Sequence, residues 1–136
     1  MIFDVEALLL ARLAAKCAPG SVLLGTFDPV DLTDDSTSPV VAQIQIAGTE
    51  PTGATGRNLR LGVVYGVHVF LDTARADAGE KQAAADLFED ALEALVDYEY
   101  QPGRHVEIVG GKTTEFDGRV LRLAFGLTFP AHVVGT

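Results

Sequence analysis

Hydrophobic and polar positions alternate most regularly over Arg60–Thr73, RLGVVYGVHVFLDT. Leu61, Val63, Tyr65, Val67, Val69 and Leu71 fall on one side, and Arg60, Gly62, Val64, Gly66, His68 and Phe70 on the other. A period of two with β-branched and aromatic residues predicts a strand with one strongly buried face. The run is more than twice the roughly 5–6 residues of an ordinary strand. Its second face is mixed and carries glycines where side chains normally sit. A second alternating run, Val120–Phe129, sets Leu121, Leu123, Phe125, Leu127 and Phe129 against Arg122, Ala124, Gly126 and Thr128. Glycine inside a strand marks a bulge or a close backbone approach, so Gly62, Gly66 and Gly126 are expected to mark bulges or a face that another protomer packs against.

The remaining pattern predicts two helices and shorter strands. Asp4–Cys17 reads as a helix with Asp4 as its cap and Val5, Leu8, Leu9 and Leu13 as its apolar stripe, stopped by Pro19-Gly20. Ser21–Thr26 reads as a short strand, and 27–39 as a loop rich in Asp, Ser, Thr and Pro. Val40–Ala47 alternates as a half-buried strand, and Gly48–Asn58 reads as a flexible loop of unusual length for a hairpin. After a turn at Thr73–Gly79, Glu80–Tyr98 reads as a helix burying Ala84, Leu87, Phe88, Ala91, Leu92, Leu95 and Val96. Its other face repeats acid at Asp86, Glu89, Asp90, Glu93 and Asp97, with like-charge pairs four apart that cost a few tenths of a kcal/mol each. HVEIV is a further strand, and Asp117-Gly118 a hairpin turn. The order predicts an α+β sandwich of two layers over 1–136 as one domain, with a mostly antiparallel or mixed sheet and both helices on its apolar face.

Composition narrows the classes. The chain has 136 residues, 48% hydrophobic and 21% charged, enough for a core without staples. No window approaches the roughly 18 apolar residues of a membrane span. Asp4 and Glu6 stand where a secretion signal needs basic residues, and the lone Cys17 excludes an intramolecular disulfide. A net charge of −9 argues against a broad basic face for nucleic acid or anionic membrane. DNA sliding past an acidic wall stays compatible with it. The acids of 28–35 and 77–99 and the arginines beside the strands, among them Arg57, Arg60 and Arg122, leave two readings. They are solvated surface, or an acidic surface on one copy that meets a basic surface on the next.

Candidate chemistry is sparse. The aspartates from Asp28 lack the alternate ligand spacing of a calcium loop, with Val30 and Leu32 in the ligand places. Gly111-Lys112-Thr113 lacks the first glycine of a phosphate loop, where Val106 stands, and a strand follows instead of a helix. His68, His105 and His132 have no metal-ligand spacing, and Cys17 reads as a buried thiol. No nucleophile elbow occurs. Neither a catalytic site nor a metal or cofactor is expected.

Three stretches, FDVEALLLARLAA, VLLGTFDPVDLTDDSTSPVVAQI and DGRVLRLAFGLTF, resemble small tail proteins of Mu-like phages and prophages, which act like the tail terminators of long-tailed phages. The similarity runs over nearly the whole chain. It implies a virion protein, assembled in the host cytoplasm, that forms a ring, a hexamer, on the head-proximal end of the tail tube. Such a ring stops tube polymerisation, meets head-completion or neck proteins, and surrounds a channel for DNA. A head–tail connector would share the architecture, and a small ligand-binding domain would need a pocket with convergent polar groups. The residues expected at subunit or partner contacts are Arg57, Arg60, Gly62, Gly66, His68, Arg122 and Gly126, with Asp86, Glu89, Asp90 and Glu93 as their acidic counterparts. The loop Gly48–Asn58 is expected to project towards a neighbour or the tube.

Overall fold

The computed structural model describes residues 2–32, 37–55 and 58–134. Helix α1 (Ile2–Lys16) is followed by strands β1 (Leu23–Leu24), β2 (Val40–Thr55) and β3 (Asn58–Asp72), then helix α2 (Ala78–Leu95). Strands β4 (Glu99–Gln101), β5 (Arg104–His105), β6 (Glu107–Phe116) and β7 (Val120–Val134) complete the chain. One sheet runs in the order β1-β2-β3-β7-β6, and β4 and β5 make a separate small hairpin. The β1–β2 pairing is parallel and the other pairings of the main sheet are antiparallel, so the sheet is mixed. Both helices pack on its apolar face, the two-layer α+β arrangement that the periodicities predict.

The core lies where the alternation places it. Val63, Tyr65, Val67, Val69 and Leu71 of β3, with Phe125, Leu127 and Phe129 of β7, are buried against Val5, Leu9 and Leu13 of α1 and Ala84, Leu87, Phe88, Ala91 and Leu95 of α2. Tyr65 stacks on Phe129, and Phe88 meets Phe125 edge-on, adding aromatic contact to burial. Helix α2 starts earlier than the apolar stripe suggests, because Asp77 caps it. Asp77 accepts from the Glu80 amide at 2.7 Å while Glu80 accepts from the Asp77 amide at 3.1 Å, a reciprocal box that satisfies two end donors. At the other end, Arg12 of α1 donates from Nε to the Ala94 carbonyl at 3.0 Å and lies over the Tyr98 ring. A cation thus closes the negative end of α2 and ties the helices together. Asp4 does not cap α1; it lies within the first turn, because the helix starts at Ile2.

Two sequence expectations change. The strand at Ser21–Thr26 shrinks to Leu23–Leu24, because Gly25 and Thr26 leave the sheet to bond side chains. The Gly25 amide donates to Asp28, and both the amide and the hydroxyl of Thr26 donate to Glu6. The expected loop Gly48–Asn58 is instead mostly sheet, with β2 paired to β3 as far as Thr55↔Asn58. Register shifts at Ile46/Gly48 and Pro51/Gly53 leave Ala47 and Thr52 unpaired as bulges, while Gly48, Pro51 and Gly53 stay in the ladder. Beyond its β1 pairing at Ala42 and Gln43, β2 has no strand partner on its outer edge among the described residues, and β7 has none beyond Thr128; side chains bond there instead, Thr26 to the Ile46 amide and Tyr100 to the Pro130 carbonyl. The far ends of the three strands, β2 from Gly48, β3 up to Gly62 and β7 from Pro130, pair with one another and are termed the arm.

Prolines sit on both edges of that arm. Pro51 lies opposite Leu61, and Pro130 opposite Gly62. Alternation of the ladder turns both ring nitrogens away from β3, so neither proline breaks a bond within the sheet. Each instead removes a donor from an exposed edge.

Candidate functional site

The candidate residues divide into two groups on opposite sides of the two-layer fold. Gly62, Gly66 and His68 of β3, with Arg122 and Gly126 of β7, lie on the sheet face turned away from the helices. Asp86, Glu89, Asp90 and Glu93 lie on α2, where all but the half-buried Asp90 are exposed. Arg60 holds the register position opposite Gly53 and His132. Arg57 lies outside the described residues.

On the sheet face, Gly66 pairs directly with Gly126 in an unbroken β3–β7 register, while on its other side Gly126 faces Val109, where the β6–β7 register shifts. At Gly66 the close neighbour belongs to this chain: a Cβ there would stand 2.5 Å from His68 Nε2. The imidazole lies down over the glycine and stacks on Phe70, with ring centres 5.9 Å apart. At Gly126 a Cβ would meet the Val109 carbonyl at 3.1 Å. Arg122 approaches His68 Nδ1 at 3.5 Å and pairs with Glu115 at 2.6 Å. Burial, and then the Arg122 charge, lower the His68 pKa, while Glu115 opposes them. His68 is therefore a neutral ring at pH 7, and the Arg122 charge is already matched within the chain. Part of this face is covered by the chain's own loop: Gln43 is buried because its amide donates to the Gly25 and Asp28 carbonyls, both at 3.1 Å.

On the helix side, Arg12 and Lys16 of α1 line a groove with Asp90, Glu93 and Ala94. The acidic stripe is thus partly compensated by the neighbouring helix.

A cluster that the sequence reading missed lies at the end of β3. Asp72 has a fully buried side chain, and its two oxygens accept from Arg119 Nε at 3.0 Å and Nη2 at 2.9 Å, from Arg75 Nε at 3.0 Å and from the Ala74 amide at 3.1 Å. Arg75 also donates to the Leu32 and Thr37 carbonyls. The Arg119 hydrogen bonds come first, followed by those of Arg75, in holding the Asp72 carboxyl well below the usual carboxylate range. This clasp joins β3, the loop before β2 and the β6–β7 turn. Within LDTARADAG only the three-residue spacing of Asp72 and Arg75 belongs to it, and Arg119 is 47 positions from Asp72.

A second buried group links α1 to the sheet. Glu6 accepts from the Thr26 hydroxyl, which in turn accepts from the Ile46 amide at 3.1 Å. The neighbouring Tyr65 hydroxyl is buried without a hydrogen-bond partner among the described residues. Burial, and then the Glu6 charge, push its phenol up. Burial and Asp90 likewise push the Cys17 thiol up, away from the thiolate that a nucleophile needs. Among the described residues no group of His, Cys, Asp and Glu side chains forms a metal site, and no helix is long and apolar enough to cross a membrane.

Comparison with solved structures follows this geometry. A sheath/tube terminator of an extracellular contractile injection system, PVC, in its extended state superposes on 98% of the chain with a TM-score of 0.63 and 18% identity. The chain has the fold found in a sheath/tube terminator. It spans 57% of that protein's length. A chain of the virion of a native gene transfer agent particle matches 95% of this chain and 92% of its own length, with a TM-score of 0.53 and 17% identity. No protein-family model and no curated protein matches the sequence.

Proposed function

We propose that this chain is a structural virion protein that closes into a ring, a hexamer, on the head-proximal end of a tail tube. There it stops tube polymerisation and joins the tail to head-completion or neck proteins, with DNA passing through its channel without specific binding. The observation that carries this reading is the likeness to a terminator along 98% of the chain. Two features of the molecule support it. Titratable clusters are spent on holding elements together, as at Asp72 and Glu6. The three-stranded arm and the acidic α2 face offer different surfaces on one protomer, as a head-to-tail contact that closes by rotation requires.

The proposed contacts run through Arg57, through Arg60, Gly62, Gly66, His68, Arg122 and Gly126 on the arm and sheet face, and through Asp86, Glu89, Asp90 and Glu93 on α2. Light scattering on the purified protein, alone and with tail-tube protein, tests ring formation. A mass of about six copies, alone or only on the tube, is expected. A monomer that ignores the tube overturns the proposal. Reversing Arg57 and Arg60 to glutamate is expected to lower the assembled mass while circular dichroism stays unchanged; unaltered assembly removes both residues from the interface.

A further inference from the structure

Beside the acidic face of α2 lies a groove of about 270 Å³ whose rim includes Asp86 and Asp90 of the proposed ring contacts. Its long wall is one side of α2, contributed by Glu80, Ala83, Asp86, Leu87 and Asp90. The facing wall is the turn from Ala18 to Val22, and Ser38 and Val40 close it below. Positions 80, 83, 87 and 90 recur at helical spacing, so the groove follows α2 for nearly three turns, roughly 15 Å at 1.5 Å per residue. That length accommodates about four residues of extended chain at roughly 3.3 Å each.

The lining has a definite polarity. Val22, Val40, Ala83 and Leu87 give it an apolar floor, and Glu80, Asp86 and Asp90 give it an acidic rim. Of the three rim carboxylates, only Asp90 also lines the neighbouring groove that holds Arg12 and Lys16. Glu80 accepts from the Asp77 amide and Asp86 from the Gln82 side-chain amide at 3.0 Å, and none of the three forms an ion pair among the described residues. Asp86 and Asp90 stand one turn apart and repel each other. A cation between them would relieve that repulsion. An apolar side chain beside the cation would cover the floor. The rim shares Asp86 and Asp90 with the α2 surface proposed above for contact between copies, so the bound segment and a neighbouring copy compete for the same two carboxylates.

We infer that this groove binds a short extended segment of another protein, an apolar side chain seated on Val22, Val40 and Leu87 and flanked by Lys or Arg paired with Asp86, Asp90 and Glu80. The inference stands on the groove itself and not on the ring reading. An isolated segment of this size binds weakly, in the millimolar range, and the complete partner adds contacts outside the groove.

The test is amide chemical-shift mapping of the whole protein with three acetylated, amidated tripeptides: Lys-Leu-Arg, Lys-Gly-Arg and Glu-Leu-Glu. With Lys-Leu-Arg at millimolar concentration, shifts are expected at residues 18–22 and 80–90. The other two peptides are expected to shift them several-fold less. The double variant Asp86→Asn with Asp90→Asn removes two exposed or half-exposed like charges, so the fold is retained. It is expected to weaken Lys-Leu-Arg binding about tenfold, the loss of one to two charge-assisted contacts. Equal response to Lys-Gly-Arg would reduce the groove to a counter-ion surface and overturn the inference. So would equal response to Glu-Leu-Glu, absence of shifts in the groove, or a double variant that binds unchanged.

Discussion

Asp72 shows how a single carboxylate can hold three distant segments. Because its folded pKa is depressed, its stabilising contribution is fully present above the ordinary carboxylate pKa of about 3.9 and is lost as pH falls towards the folded value. The amides of Arg119 and Val120, which donate to Asp117 in the same turn, depress that carboxyl as well and give the same sign. Asp72→Asn is expected to lower Tm at pH 7 and to flatten the loss of Tm on acidification below about pH 4. An unchanged acid profile in the variant would show that the clasp does not govern acid stability. His68 and Gly66 form the other residue-scale pair. Gly66→Ala is expected to destabilise the fold by about 1–3 kcal/mol by overpacking, because the new methyl meets the imidazole. Adding His68→Ala is expected to recover most of that loss, and additive denaturation midpoints in the double-mutant cycle would contradict the contact.

At the scale of elements, the arm is guarded by its prolines. Pro130→Val restores an outward N–H to the open edge of β7, next to the place where β6 ends opposite Thr128. The variant is expected to associate through strand pairing at concentrations where the parent protein does not, read as concentration-dependent mass and added β signal. A variant as soluble and monodisperse as the parent would show that Pro130 protects nothing. The same arm marks the limit of what the sequence discloses. β3, β7 and α2 are legible because a buried face imposes period 2 or 3.6 on side chains. The distal half of β2 is not, because GTEPTGAT shows no apolar alternation and its glycines and proline read as loop. They become strand through pairing with β3, a partner that local propensity does not contain. Among the site residues, the facing glycines of β3 and β7 were legible as close approaches. That His68 of the same chain fills one of them depends on side-chain conformation. The clasp at Asp72 depends on contacts 43 and 47 positions away, and no local motif encodes it.

For the whole molecule, the likeness to a sheath/tube terminator along 98% of the chain supports the proposed account: a protein that acts by fitting against others. The three-stranded arm and the acidic side of α2 give it two chemically different surfaces. The account requires that the protein recognise one end of a tail tube and halt growth there. The most direct measurement is electron microscopy of tail-tube protein polymerising with and without this protein. The account predicts shorter tubes, each carrying a ring of extra density at one end only. Tubes of unchanged length with two bare ends would contradict it.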